Sequence, residues 1–428
     1  MIAATASLAL MLCMGAPPAP GVGDDATKAA TRPKDDPLAD ARGATDREEW
    51  GDAAEKFRAF IKAHPGDPQA PEAQFWAGFC LVKLGENEQA VEVLDPFRDK
   101  LAEDKWADDA LLQIGKALHG LGKEEEALSA WKRHLEKYTQ SVWRNEVLLA
   151  IIDLLFHHAT DLNACLAYCV QLTEEVKDKG STTEARYMGA YCLNALRKFA
   201  ASEAWADRQF DPESPLEEAW RRVLGAQRDL LRGRVDSALG AVDSSAADFP
   251  DLDQDGRRDL LLKTTHVLRF NGRADRAREL LEAELVGSSG RPQGDVDSLL
   301  DELEATYGDD RRVDFLAALG HLVGDRKVAI VVRVTARDRH AQGLKDDEHA
   351  DQAEALLRAA LSSETAEFPR FRAALKLAEI LADDPAKRDD ATKVFDGLGT
   401  DLKRRDLIHQ LQVASARYRQ QKAEEPGK

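Results

Sequence analysis

The chain is poor in the residues that mark several common protein classes. Aromatic side chains are 6% of its 428 residues, and only four residues are methionine. Strands draw on aromatic and β-branched side chains, whereas Ala and Leu, both strong helix formers, dominate the apolar set here; a helical core is favoured over a sheet. The five cysteines, Cys13, Cys80, Cys165, Cys169 and Cys192, include no CxxC pair. The spacing of zinc ribbons and of thioredoxin-like redox motifs is therefore missing; burial as small apolar side chains is the favoured role of the downstream four, among which an oxidising compartment would also permit a disulfide. Basic residues number 59 against 77 acidic ones, for a net charge of -18. Phosphate backbones are bound by basic faces, so nucleic acid is excluded as a partner. P-loop, HExxH, GxSxG and dinucleotide fingerprints are absent, and nothing in the sequence asks for a cofactor.

What the chain has is a repeat. Ala53, Ala90, Ala127, Ala164, Ala201 and Ala238 recur every 37 residues, and four residues after each stands Phe57, Leu94, Trp131, Tyr168, Trp205 or Val242. Gly78, Gly115, Ile152 and Gly189 lie twelve residues before their alanines, and Gly85, Gly122 and Gly233 lie five before theirs. A period of this length predicts stacked helical hairpins, because neither helix of a pair can bury its apolar stripe alone. The small residues let two helix backbones cross closely, the large residue fills the space beside them, and the turn glycine stops the first helix. Later segments continue the pattern: Gly272 and Ala277 are five apart, as are Gly324 and Ala329 in VGDRKVAIVVRV, whose β-branched run could also be a strand.

These positions resemble the tetratricopeptide repeat, with its small eighth and twentieth residues and large twenty-fourth. The matching triplets are Gly78, Ala90 and Leu94; Gly115, Ala127 and Trp131; and Gly189, Ala201 and Trp205. The resemblance implies an all-α fold, an α-α superhelical solenoid of about eight to nine such hairpins, acting as a non-catalytic scaffold for other proteins or peptide segments. The junction HPGDPQAPEA followed by FWAGFCLVKLGENEQAVEVL also resembles two envelope families: the lipoprotein of the outer-membrane β-barrel assembly machine, and the periplasmic cell-division coordinator of the Tol-Pal system. Two other readings stay open, a cytosolic adaptor and a substrate-holding solenoid of an envelope glycan-processing enzyme.

The N-terminus bears on the compartment. IAATASLALMLCMGA, residues 2–16, is uncharged and too short for a comfortable membrane span, which takes about 20 residues. Small residues and prolines follow it, so residues 1–23 are expected to be a signal peptide and the protein to reside in the periplasm or cell envelope, or in the cytoplasm if the signal does not function. Membrane association would come only through this end, where Cys13 follows an imperfect lipidation box. Residues 24–44 have the composition of a disordered linker, 45–286 hold the regular repeats, 287–295 a loop, 296–418 irregular repeats and 419–428 a frayed tail.

Two sets of residues are candidates for binding. In an array of this kind the first helices line a groove, whose expected residues are Phe75, Phe79, Lys83, Leu112, Lys116, His119, Asp153, Phe156, His157, Arg186 and Asn194. Phenylalanines and spaced cations suit a segment that brings apolar anchors and a carboxylate. The second set, Asp251, Asp253, Asp255 and Asp259 around Gly256, resembles a calcium loop that lacks its twelfth-position Glu; capping of a helix start is the competing explanation.

Overall fold

The computed structural model describes residues 36–415 apart from 99–105, 159–160, 177–181, 288–289, 385, 400–401, 405–406, 408–410 and 412–413. The expected signal peptide, Cys13, the linker up to residue 35 and the tail lie outside the described residues. The protein is all-α, an α-α solenoid of tetratricopeptide-like hairpins, and no strand occurs among the described residues. Twenty described α-helices make ten hairpins. The first six are α1 (Ala39–Asp46) with α2 (Trp50–Ala63), α3 (Ala70–Leu84) with α4 (Asn87–Leu94), α5 (Ala107–Gly120) with α6 (Glu124–Lys137), α7 (Arg144–His158) with α8 (Leu162–Glu175), α9 (Thr183–Ala195) with α10 (Phe199–Gln209), and α11 (Pro215–Leu231) with α12 (Val235–Asp248). The rest are α13 (Gln254–Phe270) with α14 (Ala274–Gly287), α15 (Gln293–Tyr307) with α16 (Arg312–Gly324), α17 (Ile330–Asp346) with α18 (Ala350–Ser363), and α19 (Glu367–Asp383) with α20 (Arg388–Gly399). The chain divides into two compact units, residues 1–263 and 264–428.

One turn builds most of the hairpins. Glu48, Gly85, Gly122, Arg197, Gly233, Gly272 and Glu348 all take left-handed backbone, with φ between 58° and 78°. The next amide reaches back five residues, as Glu86 N–H does to Leu81 O at 2.9 Å and Lys198 N–H to Leu193 O at 2.8 Å. This is a Schellman turn, which satisfies the last carbonyls of the first helix. Five residues after each left-handed residue stands a buried small one: Ala53, Ala90, Ala127, Ser202, Ala238, Ala277 and Ala353. Three of the seven turns use a residue other than glycine, at a conformational cost of roughly 1–2 kcal/mol each. Glu348 is exposed, and its side chain carries no described contact. Glu348→Gly is therefore expected to raise the urea midpoint by the equivalent of about 0.5–1 kcal/mol, the left-handed penalty less glycine's extra unfolded-state entropy.

The 37-residue alanine spacing hides two shifts that cancel. Ala164 is only half-buried and Ala201 is exposed; Cys165 and Ser202 take the buried places. Cys165 Sγ faces Ile152 O at 3.7 Å, and Ser202 Oγ donates to Ala190 O at 2.9 Å. One residue is thus gained before Cys165 and lost again before Ala238. The close crossings are as expected: a Cβ on Gly115 would overlap the Trp131 indole, one on Gly78 the Leu94 side chain, and one on Gly189 would lie 2.7 Å from Trp205. Trp131 Nε1 and Trp205 Nε1 donate to the equivalent carbonyls of Leu112 and Arg186, at 3.3 and 2.8 Å. Where Ile152 replaces the glycine, Tyr168, the large residue of the 37-residue period, is left half-buried.

Other expectations change. The linker was expected to reach residue 44, but α1 begins at Ala39, because Leu38, Ala41 and Ala44 form an apolar stripe that buries. The loop expected over 287–295 narrows, since α14 runs to Gly287 and α15 starts at Gln293, and the compact units divide at residue 263 instead. Gly324 and Ala329 are not a turn and a second-helix alanine: Ala329 precedes α17, which is a first helix. Its β-branched start is helical because Val332 and Val334 bury against neighbouring helices, which overrides a weak local strand preference.

Candidate functional site

First helices have neighbours on several sides. The helix α3, for example, packs against α2, α4 and α5. Most of the expected groove residues are accordingly buried, in packing within and between hairpins. Phe75 is buried and stacked on Trp106, with ring centroids 5.1 Å apart. Leu112, His119 and Phe156 are buried, His119 beside Trp131 at 6.2 Å and Phe156 edge-on to Tyr191 at 4.8 Å. Arg186, 2% exposed, makes a two-armed pair with Glu217 on α11 at 3.0 and 2.9 Å, and also donates to Gln209 O at 2.7 Å. Asn194 is buried and donates to Leu224 O and Gln227 Oε1, both at 3.1 Å. Asp153 is buried, with His157 Nε2 3.2 Å from Oδ1. Seven of the eleven expected residues are therefore buried within or between hairpins, not a free face.

Four remain half-buried: Phe79 and Lys83 on α3, Lys116 on α5 and His157 on α7. Phe79 sits in an aromatic cluster, 5.9 Å from Trp50 and 5.5 Å from Trp76, both edge-on. The Lys83 ammonium lies 5.5 Å from the Phe79 ring centre. Lys116 is bridged to Glu146 at 2.5 Å, whereas no described carboxylate lies within ion-pair distance of Lys83. Burial, and then the Lys116 charge, pull the Lys83 ammonium below its ordinary pKa, against Glu146 and Glu48. An anion placed here would relieve both effects. Trp50, half-buried beside Phe79, was not among the expected residues, although it opens α2, the helix that buries Ala53 and Phe57.

Sequence reasoning also missed a polar cluster in the first unit. Lys263 on α13 bridges Asp259 at 2.5 Å and Glu184 on α9 at 2.9 Å, and its ammonium lies 4.8 Å from the ring centres of both Tyr187 and Trp220. Burial opposes its charge, but the two carboxylates outweigh it and hold the pKa above the ordinary lysine value. Asp259 also accepts from Trp220 Nε1 at 2.6 Å. The calcium reading fails on this geometry. Asp253 Oδ1 accepts from Gly256 N–H at 2.8 Å and so caps the first turn of α13, while Asp259 is committed to Lys263 and Trp220. Among the described residues no His, Cys, Asp and Glu group is arranged to hold a metal ion. Cys80, Cys165, Cys169 and Cys192 are buried and unbridged.

Hairpins joined by Schellman turns and crossing at small residues define a helical-repeat protein, with the two units each built this way. Comparison with known proteins agrees at the level of the repeat: a family model described as tetratricopeptide repeat matches residues 38–100 and supports that assignment for the first hairpins. No curated protein matches the sequence. Among solved structures, the C-terminal part of a TPR repeat-containing protein from Cytophaga hutchinsonii aligns at 13% identity over 62% of this chain and 98% of that one, with a TM-score of 0.40. Naa15/Naa10 bound to HypK aligns at 12% identity over 90% and 60%, with a TM-score of 0.33, and the P58(IPK) TPR domain at 14% over 83% and 99%, with a TM-score of 0.24. At these values the fold assignment rests on the chain's own helices and turns.

Proposed function

We propose that the protein is a non-catalytic interaction scaffold of the bacterial cell envelope, which holds a partner segment along the half-buried strip of Phe79, Lys83, Lys116 and His157. The observation that carries this reading is Lys83, a cation over an aromatic ring with no carboxylate of its own. A partner would lay an apolar side chain against Phe79 and Trp50 and bring a carboxylate to Lys83, gaining affinity from the first and orientation from the second. The envelope assignment rests on the uncharged apolar stretch at residues 2–16 and on the repeat junction shared with the two envelope families. No helix among the described residues is long and apolar enough to cross a membrane. Crosslinking in the native host, with mass spectrometry of captured proteins and of the mature N-terminus, tests both parts. The expected result is envelope proteins captured by wild type and lost with Phe79→Asp/Lys116→Glu, on a chain beginning beyond Ala16. A chain that keeps Met1 would sink the export reading, and unchanged capture would sink the strip.

A further inference from the structure

A second surface lies on the opposite kind of helix, in the second unit. The helices α14 and α16 are both second helices, and a cavity of about 370 Å³ opens between them. Its floor is apolar: Val286, Ala317, Ala318, Leu322 and Val328. Its rim is acidic, with Glu282, Asp314 and Asp325 beside His321, and no Lys or Arg lines it. Large aliphatic side chains are rarely exposed on this protein, yet Val286 is 41% and Val313 78% exposed. Val313 lies one helical turn before Ala317, on the stripe that continues to His321. An apolar stripe left open on a helix whose inner face is already buried by Phe315 and Leu319 marks a contact surface.

The charges select the occupant. Arg311 already pairs with Asp314 at 2.8 Å, but Glu282 accepts only the Tyr307 hydroxyl at 3.1 Å and Asp325 the Lys327 amide at 2.8 Å, so two rim carboxylates lack a basic partner among the described residues. A second copy of this face would bring the same carboxylates together, which is repulsive. We infer that the α14–α16 groove docks a segment of another protein that carries aliphatic side chains flanked by Lys or Arg, laid along the groove as an amphipathic helix. This surface is independent of the strip in the first unit, and either can fail without the other.

The test uses the full chain and a labelled synthetic helical peptide of leucine and lysine, with matched peptides in which Glu replaces Lys or Ser replaces Leu. Ala317→Arg blocks the floor, Glu282→Lys/Asp325→Lys reverses the rim, and Glu125→Lys/Glu136→Lys makes the same charge change on α6, in the first unit. The expected result is binding of the Leu/Lys peptide alone, weakened about tenfold or more by each groove variant and little changed by the α6 variant. Equal weakening by all three variants would reduce the binding to diffuse charge and overturn the proposal. So would a wild type that binds none of the peptides, an Ala317→Arg chain that binds as wild type does, or a wild-type dimer that Ala317→Arg converts to monomer.

Discussion

Glu217→Ala is expected to destabilise the first unit by about 3–5 kcal/mol, the cost of breaking a buried ion pair from one side. Arg186 is 2% exposed, and after the change its guanidinium would still donate to the Gln209 carbonyl and the Thr183 hydroxyl but would lose the carboxylate that balances its charge. The pair joins α9 to α11, so its loss should loosen two successive hairpins, not one helix. Glu217 also accepts the Asp211 amide at 2.5 Å, which the variant would leave without that partner. Replacing both residues, as Arg186→Met/Glu217→Leu, removes the charges together and should recover most of the loss, since apolar substitutes for buried pairs are often neutral or better. Urea unfolding followed by circular dichroism, with hydrogen exchange read over α9 and α11, separates the outcomes. A Glu217→Ala cost under about 1 kcal/mol would place the pair in the range of solvent-screened surface bridges and contradict its buried position.

Trp131→Ala is the second large effect, expected to cost about 3–5 kcal/mol, because the indole is fully buried and the cavity lies where two helices cross. Gly115→Ala attacks the same contact from the other side: its Cβ would overlap the indole, and overpacking of that kind costs about 1–3 kcal/mol. The two changes should not add. In Gly115→Ala/Trp131→Leu the smaller side chain leaves room for the new methyl, so the double variant should be more stable than the sum of the single effects predicts, by about 1 kcal/mol or more. Simple additivity would mean that Gly115 and Trp131 are not the touching pair, and that the repeat register is wrong.

The parts of the fold that can be read from sequence are those fixed by size. Gly78, Gly115 and Gly189 face Leu94, Trp131 and Trp205 across close helix crossings, so their spacing survives as a visible period. Gly85, Gly122 and Gly233 are legible for the same kind of reason, a left-handed turn that glycine adopts freely. Glu48, Arg197 and Glu348 make the same turn and leave no such mark, which hides the turns of three hairpins. The alanine ladder misled where Ala164 and Ala201 stood next to the residues that bury, Cys165 and Ser202; equal spacing was kept by one insertion and one deletion. The candidate face was less legible than the fold. First helices such as α3 are packed on several sides, and Phe75 and Phe79 are then indistinguishable as letters although one is buried and the other half-open. Arg186 and Asn194 read as groove polarity and are inter-hairpin joints instead, because a solenoid must satisfy polar groups between its repeats as well as on its surface, while Asp153 is buried beside His157 of its own helix.

The most direct test of the scaffold account is the affinity of a captured partner for Lys83→Glu compared with Lys132→Glu, an exposed change on α6 away from the strip. Both chains should melt as wild type does, which separates binding from folding. The account predicts about tenfold or greater weakening for Lys83→Glu, equivalent to about 1.4 kcal/mol, and little change for Lys132→Glu. Equal affinities for the two variants would contradict it, because the unpaired cation over Phe79 would then contribute nothing to the partner it is held to receive.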